Sequence, residues 1–185
     1  MHEPAADADL LRAAFRDVHG VRLHGFALIV LLGDRTTAAR LASETIAAHA
    51  ADAPRLRHPE RAAAVLRAGL LRRAGRERSS GILGEAQRAT LAHLGVDGPA
   101  VVALARLRPE ERAALVASQV ERFGDDDLST ILSTTPGRAR RAAMAARRRF
   151  IEHFPGDGES LDELRGPIAE RVRDVSTRAM GARPR

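Results

Sequence analysis

Six arginines stand close together near residue 140, with no acidic residue between Leu128 and Ile151. They are Arg138, Arg140, Arg141, Arg147, Arg148 and Arg149. Guanidinium groups bind phosphate oxygens and the acceptor atoms of guanine in bidentate pairs. Like charges on one helix repel each other, and an anion bound against the helix offsets this repulsion. The cluster therefore indicates either a helix that faces nucleic acid or a solvated, arginine-rich surface helix, and charge alone favours neither.

Residue types that support other chemistry are absent or poorly spaced. The chain has 30 basic residues and all are arginine, so it has no lysine for a Walker motif or a Schiff base; it has no cysteine either. His19 and His24 are five residues apart, which is not a metal-binding spacing. Asp125 to Asp127 are more simply a helix N-cap than a cation site. We expect no catalytic residues, no metal and no cofactor.

The composition is that of a globular helical protein. The 185 residues are 44 % hydrophobic and 29 % charged, with a net charge of +6. Frequent alanine favours helix, and no stretch alternates like a strand. The longest apolar run, Phe26 to Leu32, is far shorter than the roughly 20 residues of a membrane span. The acidic N-terminus does not match a secretory signal. We expect an all-α, cytoplasmic protein with no membrane span.

Breaks in the helical pattern predict two small helical domains joined by a linker, followed by a C-terminal helix. Residues 1–75 form a bundle, 76–98 the linker with a short helix at 85–94, 99–154 the second domain, and 155–185 an extension. The predicted helices of the bundle end at Gly20, cover about 22–32 and 36–50, and run from Pro59 to Gly75. In the second domain, a helix opens at Pro109 and runs to Phe123.

The extension carries two helix signals. Ser160-Leu161-Asp162-Glu163 spells a capping box. After Gly166-Pro167, an apolar stripe follows at helical spacing: Ile168, Val172, Val175 and Ala179. We expect this helix to pack on the second domain, with a partner-binding or autoinhibitory helix as the less favoured alternative.

The arginine cluster belongs to a short-helix, turn, long-helix pattern. Leu128, Ile131 and Leu132 fit a very short helix, residues 133–135 a turn, and residues 136–150 a longer helix that opens with proline. Thr135 is the expected N-cap, since its hydroxyl can accept an amide hydrogen bond. This is the helix-turn-helix pattern, in which the second helix enters the major groove. An ordinary helical hairpin is the alternative.

Both halves together resemble the extracytoplasmic-function group of the sigma-70 family of RNA polymerase sigma factors. Leu32-Gly33-Asp34-Arg35 followed by Leu41-Ala42-Ser43-Glu44-Thr45-Ile46 is similar to "GDxxxAEDLVQETF" of region two. Leu107-Arg108-Pro109-Glu110-Glu111-Arg112 is similar to "LPxxxRxxLxL", which opens region four. Residues 128–141 are similar to its reading helix, "EIAxxLGxSxGTVKSRL". The order and spacing agree over roughly residues 8–75 and 99–152.

The resemblance implies that the front half docks on core RNA polymerase and captures the −10 element, while the back half reads the −35 element of promoter DNA. The residues it assigns to polymerase are Asp34, Leu41, Glu44 and Thr45. Those it assigns to −35 DNA are Thr135, Arg138, Arg140 and Arg141, with Arg147 and Arg148 nearer the backbone. Those it assigns weakly to the −10 element are Arg55, Arg57 and His58. The family also admits an anti-sigma factor as a partner.

Departures from the family pattern keep a second function open. Ala39-Arg40 replaces an acidic pair, and no aromatic residue lies between Phe26 and Phe123 to stack on melted bases. Ser133 stands where a turn glycine is usual. The alternative is a degenerate sigma-like regulator that binds DNA or a protein partner without opening promoters. Two of the residues assigned to polymerase have structural alternatives: Leu41 is a core residue in the alternative reading, and Asp34 is a helix cap.

Overall fold

The structure is a computed structural model that describes residues 4–52, 56, 58–77, 83–96 and 98–154. Within these ranges it is helical and contains no strand, which confirms the all-α prediction. The helices are α1 (Pro4–Val30), α2 (Arg35–His49), α3 (Pro59–Ala74), α4 (Glu85–His93), α5 (Gly98–Ala105), α6 (Pro109–Leu115), α7 (Asp125–Ile131) and α8 (Pro136–Glu152). None of these described helices is long and apolar enough to cross a membrane. The C-terminal extension lies outside the described residues.

The two helices predicted on either side of Gly20 form one continuous helix, α1. Glycine inside a helix costs about 0.5–1 kcal/mol relative to alanine. Leu23 and Leu28 of the same helix are fully buried, and Phe26 is nearly so. Burying one such side chain contributes about 1.5–3 kcal/mol. The predicted helix end at Gly20 was therefore wrong, because packing outweighs this local preference.

The turn between α1 and α2 is packed against α4. Leu32 and Gly33 have φ angles of 51° and 79°, in the left-handed region. The amide of Gly33 donates to the carbonyl oxygen of Leu28 at 2.7 Å. A Cβ atom at Gly33 would lie 2.5 Å from the carbonyl oxygen of Gln87 in α4. Only glycine fits this contact, which holds α4, from the predicted linker, against the front half.

Buried side chains from both halves of the chain form one hydrophobic core. Among its members are Phe26 of α1, Leu66 of α3, Leu91 of α4, Leu115 of α6 and Phe150 of α8. Helix α3 packs along α7, and α1 packs against α6. The division of the chain at residues 75, 98 and 154 stays a prediction about its organisation.

A buried arginine joins the ends of α1 and α5 to α6. Arg112 is 3 % exposed. Its Nε donates to the carbonyl oxygen of Val30 at 2.7 Å, and its Nη1 to those of Leu104 at 3.3 Å and Leu107 at 2.5 Å. Helix C-termini supply unpaired carbonyl groups and partial negative charge. Burial lowers the pKa of Arg112 to about 10, so the group stays cationic at neutral pH.

The helix predicted from Pro109 to Phe123 changes form partway along. Helix α6 ends at Leu115, and Val116–Val120 forms a π-helical segment. The amide of Glu121 donates to the carbonyl oxygen of Val116 at 3.0 Å, and Arg122 then adopts a φ of 57°. The predicted helix was therefore too long. The sequence did not indicate the change, because a single wider turn hardly alters the spacing of the apolar residues.

Replacing Gly33 tests the packing of α4 on the first turn. We expect Gly33→Ala to lower the free energy of unfolding by about 2 kcal/mol, because the added Cβ meets backbone and the left-handed conformation is strained. Urea denaturation measures the change. Gly98→Ala is the control, since its Cβ would meet nothing within 4 Å. Equal effects of the two substitutions would contradict the contact.

Acid should destabilise the protein through His24. This side chain is 1 % exposed, and burial, with the charge of Arg35, lowers its pKa to about 4. The unfolded chain, with an ordinary pKa near 6.5, binds the proton first as pH falls. Stability contributed by neutral His24 is therefore complete above about pH 6.5 and is lost toward pH 4, by about 3 kcal/mol.

Urea titrations between pH 7 and pH 4 measure this loss. His24→Gln should remove this part of the loss and make the stability profile shallower, while the loss from His19, whose pKa is also lowered by burial, remains. His153→Gln, at an exposed position, is the control. A wild-type slope retained in His24→Gln would rule out His24 as its source.

Candidate nucleic-acid interface

Helices α7 and α8 form the expected short-helix, turn, long-helix arrangement. The amide of Leu132 donates to the carbonyl oxygen of Leu128 at 2.9 Å, and that of Thr134 to Ser129 at 2.9 Å. Ser133 has a φ of 50°, so a serine occupies the left-handed position where glycine would be unstrained. The two helices pack directly on each other. The shorter helix, α7, thus supports the longer helix, α8, that follows it in the chain.

One face of α8 is buried and consists mainly of small residues. Ala139, Ala143, Ala146 and Phe150 are its buried residues, spaced at i, i+4, i+7 and i+11. This face packs against α6 and α7. Alanine side chains allow close approach, and the Phe150 ring, 1 % exposed, anchors the C-terminal end. The opposite face of α8 is therefore directed to solvent.

All six arginines of α8 lie outside this buried face and are exposed. At 100° per residue, Arg141 and Arg148 point directly away from the core. Arg140 and Arg147 lie on one flank of that outward line, and Arg138 lies on the other. Arg141 and Arg148 are about 10 Å apart along the helix axis, at 1.5 Å per residue. The arrangement is a continuous, two-turn cationic face.

Two of the six arginines have carboxylate partners: one partner lies on another helix, and the other lies on α8 itself. Arg149 Nη1 donates to Glu111 Oε1 at 2.6 Å, which joins α8 to α6. Arg148 Nε lies 3.5 Å from Glu152 Oε1 within α8. Burial raises the pKa of Glu111, but hydrogen bonds from Arg108 and the charges of Arg108 and Arg149 outweigh it, so the pKa lies below its usual value. Arg149 is therefore a structural residue.

The other four arginines have no ion pair within the part of the chain that the structure describes. They are Arg138, Arg140, Arg141 and Arg147. The prediction of an uncompensated cationic helix face therefore applies to these residues. The charges of Arg138, Arg140 and Arg141, which lie within three residues of one another, repel each other, and an external anion would relieve that repulsion.

Thr135 occupies the N-cap position of α8, as predicted, and its backbone is extended. The predicted capping hydrogen bond is not formed: the Thr135 hydroxyl accepts no hydrogen bond from a backbone amide of the first turn. The carbonyl oxygen of Thr135 instead accepts from Ala139 at 2.8 Å. Since Pro136 has no amide hydrogen, one fewer donor needs a partner at this end. The exposed hydroxyl lies at the N-terminal end of the cationic face.

The four residues assigned to polymerase divide into two groups. Asp34 caps α2: its carboxylate accepts from the amide and the hydroxyl of Thr37 at 3.0 and 2.8 Å. Glu44 is exposed and accepts from Arg40 at 3.0 Å. Arg40 also donates to Glu77 at 2.6 Å, so its charge is compensated by two carboxylates within the protein.

Leu41 and Thr45 lie inside the protein. Leu41 is 1 % exposed and belongs to the hydrophobic core. Thr45 is fully buried, and its methyl group approaches Gly69 of α3. In this conformation neither side chain can contact a partner, because both are buried beneath the helices that pack on α2, namely α1 and α3. The structure thus places Leu41 as a core residue and Asp34 as a helix cap, which were the structural alternatives to polymerase contact.

Of the three residues weakly assigned to the −10 element, only His58 lies within the described ranges. It is exposed and occupies the N-cap position of α3 without a side-chain capping hydrogen bond. Arg55 and Arg57 lie outside the described residues. The structure therefore does not test whether these three side chains lie together, and their assignment stays a prediction.

Sequence reasoning missed an ion pair that links the two halves. Arg67 of α3 is 2 % exposed and donates through Nε to Glu121 at 2.6 Å. Its guanidinium carbon lies 5.3 Å from the centre of the Phe26 ring and 5.0 Å from that of Phe123. A second hydrogen bond joins Arg67 Nη2 to the same carboxylate. The available signal was a lone arginine at an apolar-face position, between Leu66 and Leu70.

Comparison of the chain with models of protein families, with curated proteins and with solved structures gives no match. In the described ranges, no three His, Cys, Asp or Glu residues are placed to hold a metal ion. The geometry of α8 and the sequence motifs are therefore the features that indicate a function.

Thr45 offers a test of its interior position. Its hydroxyl oxygen is buried without a hydrogen-bond partner among the described residues. We expect Thr45→Val to raise the free energy of unfolding by about 1 kcal/mol, because it removes an unsatisfied polar group at similar volume. Thermal or urea denaturation measures this change.

Thr90→Val is the matched control, since the buried hydroxyl of Thr90 donates to the carbonyl oxygen of Ala86 at 2.9 Å. Its replacement should not stabilise the protein. If Thr45→Val destabilises the protein as much as Thr90→Val does, the Thr45 hydroxyl is not an unsatisfied group and the prediction is wrong.

Proposed function

We propose that the protein is a sigma-like transcription factor in which α8 binds promoter DNA and the front half docks on core RNA polymerase. The observation that carries the proposal is the outward face of α8, with its four arginines unpaired within the described ranges. Backbone phosphates are the abundant anions that such a face fits. The −35 element is the DNA that the sequence resemblance assigns to it.

The support of α8 suits a reading helix. Its buried face is fixed by α6 and α7, and the Arg149–Glu111 ion pair holds its C-terminal end. The N-terminal end, with Arg138, Arg140 and Arg141, is exposed. In helix-turn-helix proteins this end contacts base edges, where arginine pairs with guanine. Arg147, two turns further along, is suited to the phosphate backbone.

Polymerase docking rests on the resemblance of the region-two motif. Glu44 is exposed on α2, where a basic partner surface could contact it, whereas Asp34 is half-buried and would contribute by capping the helix. Burial of Leu41 and Thr45 means that they would contribute by fixing the position of α2. The proposed division into region-two-like and region-four-like halves follows from the same motifs.

One observation favours the second candidate, a degenerate sigma-like regulator that binds DNA or a protein partner without opening promoters. The aromatic rings of the front half within the described ranges are Phe15 and Phe26, which are 8 % and 2 % exposed. Melted bases are commonly held by stacking on exposed rings. The described front half offers no such surface. DNA binding by α8 is compatible with both candidates, whereas docking on core RNA polymerase and strand opening belong to the sigma factor alone.

Binding of α8 to duplex DNA is measured by fluorescence anisotropy with a labelled 30-base-pair duplex selected from a random pool. We expect Arg138→Ala or Arg140→Ala to weaken binding by about 1–3 kcal/mol, the range of one base contact. Arg147→Ala should reduce the salt dependence of log K by about 0.9, the contribution of one phosphate. Circular dichroism confirms that the variants fold.

Arg88→Ala is the control, because Arg88 is also an exposed arginine but lies on α4. It should change neither the affinity nor the salt dependence. Unchanged affinity in both Arg138→Ala and Arg140→Ala would exclude α8 as the reading helix. Pull-down of core RNA polymerase then separates the candidates: stoichiometric binding supports a sigma factor, and its absence from a folded sample supports the regulator.

A further inference from the structure

One apolar side chain stands in the middle of the arginine face of α8. Met144 is 66 % exposed, whereas the apolar residues of the opposite face, from Ala139 to Phe150, are buried. At 100° per residue, Met144 lies about 50° from the outward line that Arg141 and Arg148 define. A single exposed methionine is ordinary on a protein surface, so its surroundings decide whether it has a role.

All four neighbours of Met144 on the helix surface are arginines. On an α-helix, the side chains that lie beside a given residue belong to the positions three and four residues before and after it. At Met144 these positions are Arg140, Arg141, Arg147 and Arg148. The residues that we assign to DNA therefore flank Met144 on both sides along the helix.

The guanidinium groups of two of these neighbours lie away from Met144. A Cβ atom at Gly137 would lie 3.9 Å from Arg141 Nη1, so this side chain extends toward the N-terminus of α8. Arg148 Nε lies 3.5 Å from Glu152 Oε1, so this side chain extends toward the C-terminus. Arginine stems commonly cover neighbouring apolar surface, but here the two side chains diverge and leave the methionine uncovered.

Any anionic surface that binds these arginines also covers Met144. Burial of an apolar side chain is favourable against another apolar group, whereas covering polar groups without hydrogen bonds costs free energy. In the major groove of DNA, the apolar group on the base edges is the C5-methyl group of thymine. The methionine side chain is flexible and polarisable, so it adapts to such a small group. The chemistry that fits Met144 is therefore a thymine methyl group.

Spacing along the helix places this thymine relative to the arginine contacts. Met144 lies about 4.5 Å along the helix axis from Arg141 and about 6 Å from Arg140, at 1.5 Å per residue. Stacked base pairs are about 3.4 Å apart. We therefore expect the thymine one or two base pairs from the guanine that Arg140 or Arg141 contacts, on the side of the phosphate that Arg147 binds.

We propose that Met144 is a specificity-determining residue that recognises one thymine of the bound site through its C5-methyl group. The arginines bind guanine and phosphate, and neither contact selects thymine. Met144 adds this selection at the centre of the arginine face. The inference rests on the proposed function, because it takes duplex DNA as the partner of α8.

The test uses the full chain and the duplex that it selects from the random pool. Each thymine is replaced in turn by deoxyuridine, which removes only the C5-methyl group, and fluorescence anisotropy measures the affinity. We expect the wild-type protein to bind about fourfold more weakly when one particular thymine is replaced, since burial of one methyl group is worth about 0.8 kcal/mol. Met144→Ala should bind both duplexes equally, because the methyl group then has no partner. Met144→Leu, with an apolar side chain of similar volume, should keep the preference.

Ile151→Ala is the matched control, because Ile151 is also an exposed large hydrophobic residue of α8 but lies beyond Arg148. It should keep the fourfold preference for thymine. The inference is overturned, with DNA binding by α8 intact, if Met144→Ala keeps the preference or if no thymine of the selected site shows one. If the chain selects no duplex, or if Arg138→Ala and Arg140→Ala leave the affinity unchanged, the proposed function fails and this inference fails with it.

Discussion

The structure depends on one buried cation, the guanidinium of Arg112. An unpaired charge in a protein interior costs several kcal/mol, and here three backbone carbonyl oxygens compensate for it. Val30 ends α1 and Leu104 lies in the last turn of α5, so the cation sits where two helix dipoles are negative. These hydrogen bonds fix α6 against both helices. The front and back halves thereby acquire a common core.

The cationic face of α8 follows from that arrangement. Glu111, the neighbour of Arg112 on α6, holds Arg149 of α8. On the other side, α3 packs along α7, and Arg67 binds Glu121 just before it. Because α6 and α7 are both fixed, the alanine face of α8 has one place to pack. Its remaining arginines are then directed outward by helix geometry alone.

The same residue type therefore has three roles in this chain. Arg112 satisfies helix ends, Arg67 and Arg149 join elements through carboxylates, and Arg140 and Arg141 face solvent. With every basic residue an arginine, composition does not separate these roles. What separates them is the set of groups that each guanidinium contacts, and those groups come from distant parts of the sequence.

The sequence by itself determined the all-α class, the start of α8 at Pro136 and the short-helix, turn, long-helix pattern, because these depend on periodicity and capping within a few residues. Only the tertiary structure decided that α1 continues through Gly20, that Leu41 and Thr45 are buried, and that Arg149, unlike Arg141, has a carboxylate partner among the described residues. Each of these outcomes depends on contacts between residues far apart in the chain. Local spacing contains no information about which elements will meet, and burial energy, once they do, exceeds local preference.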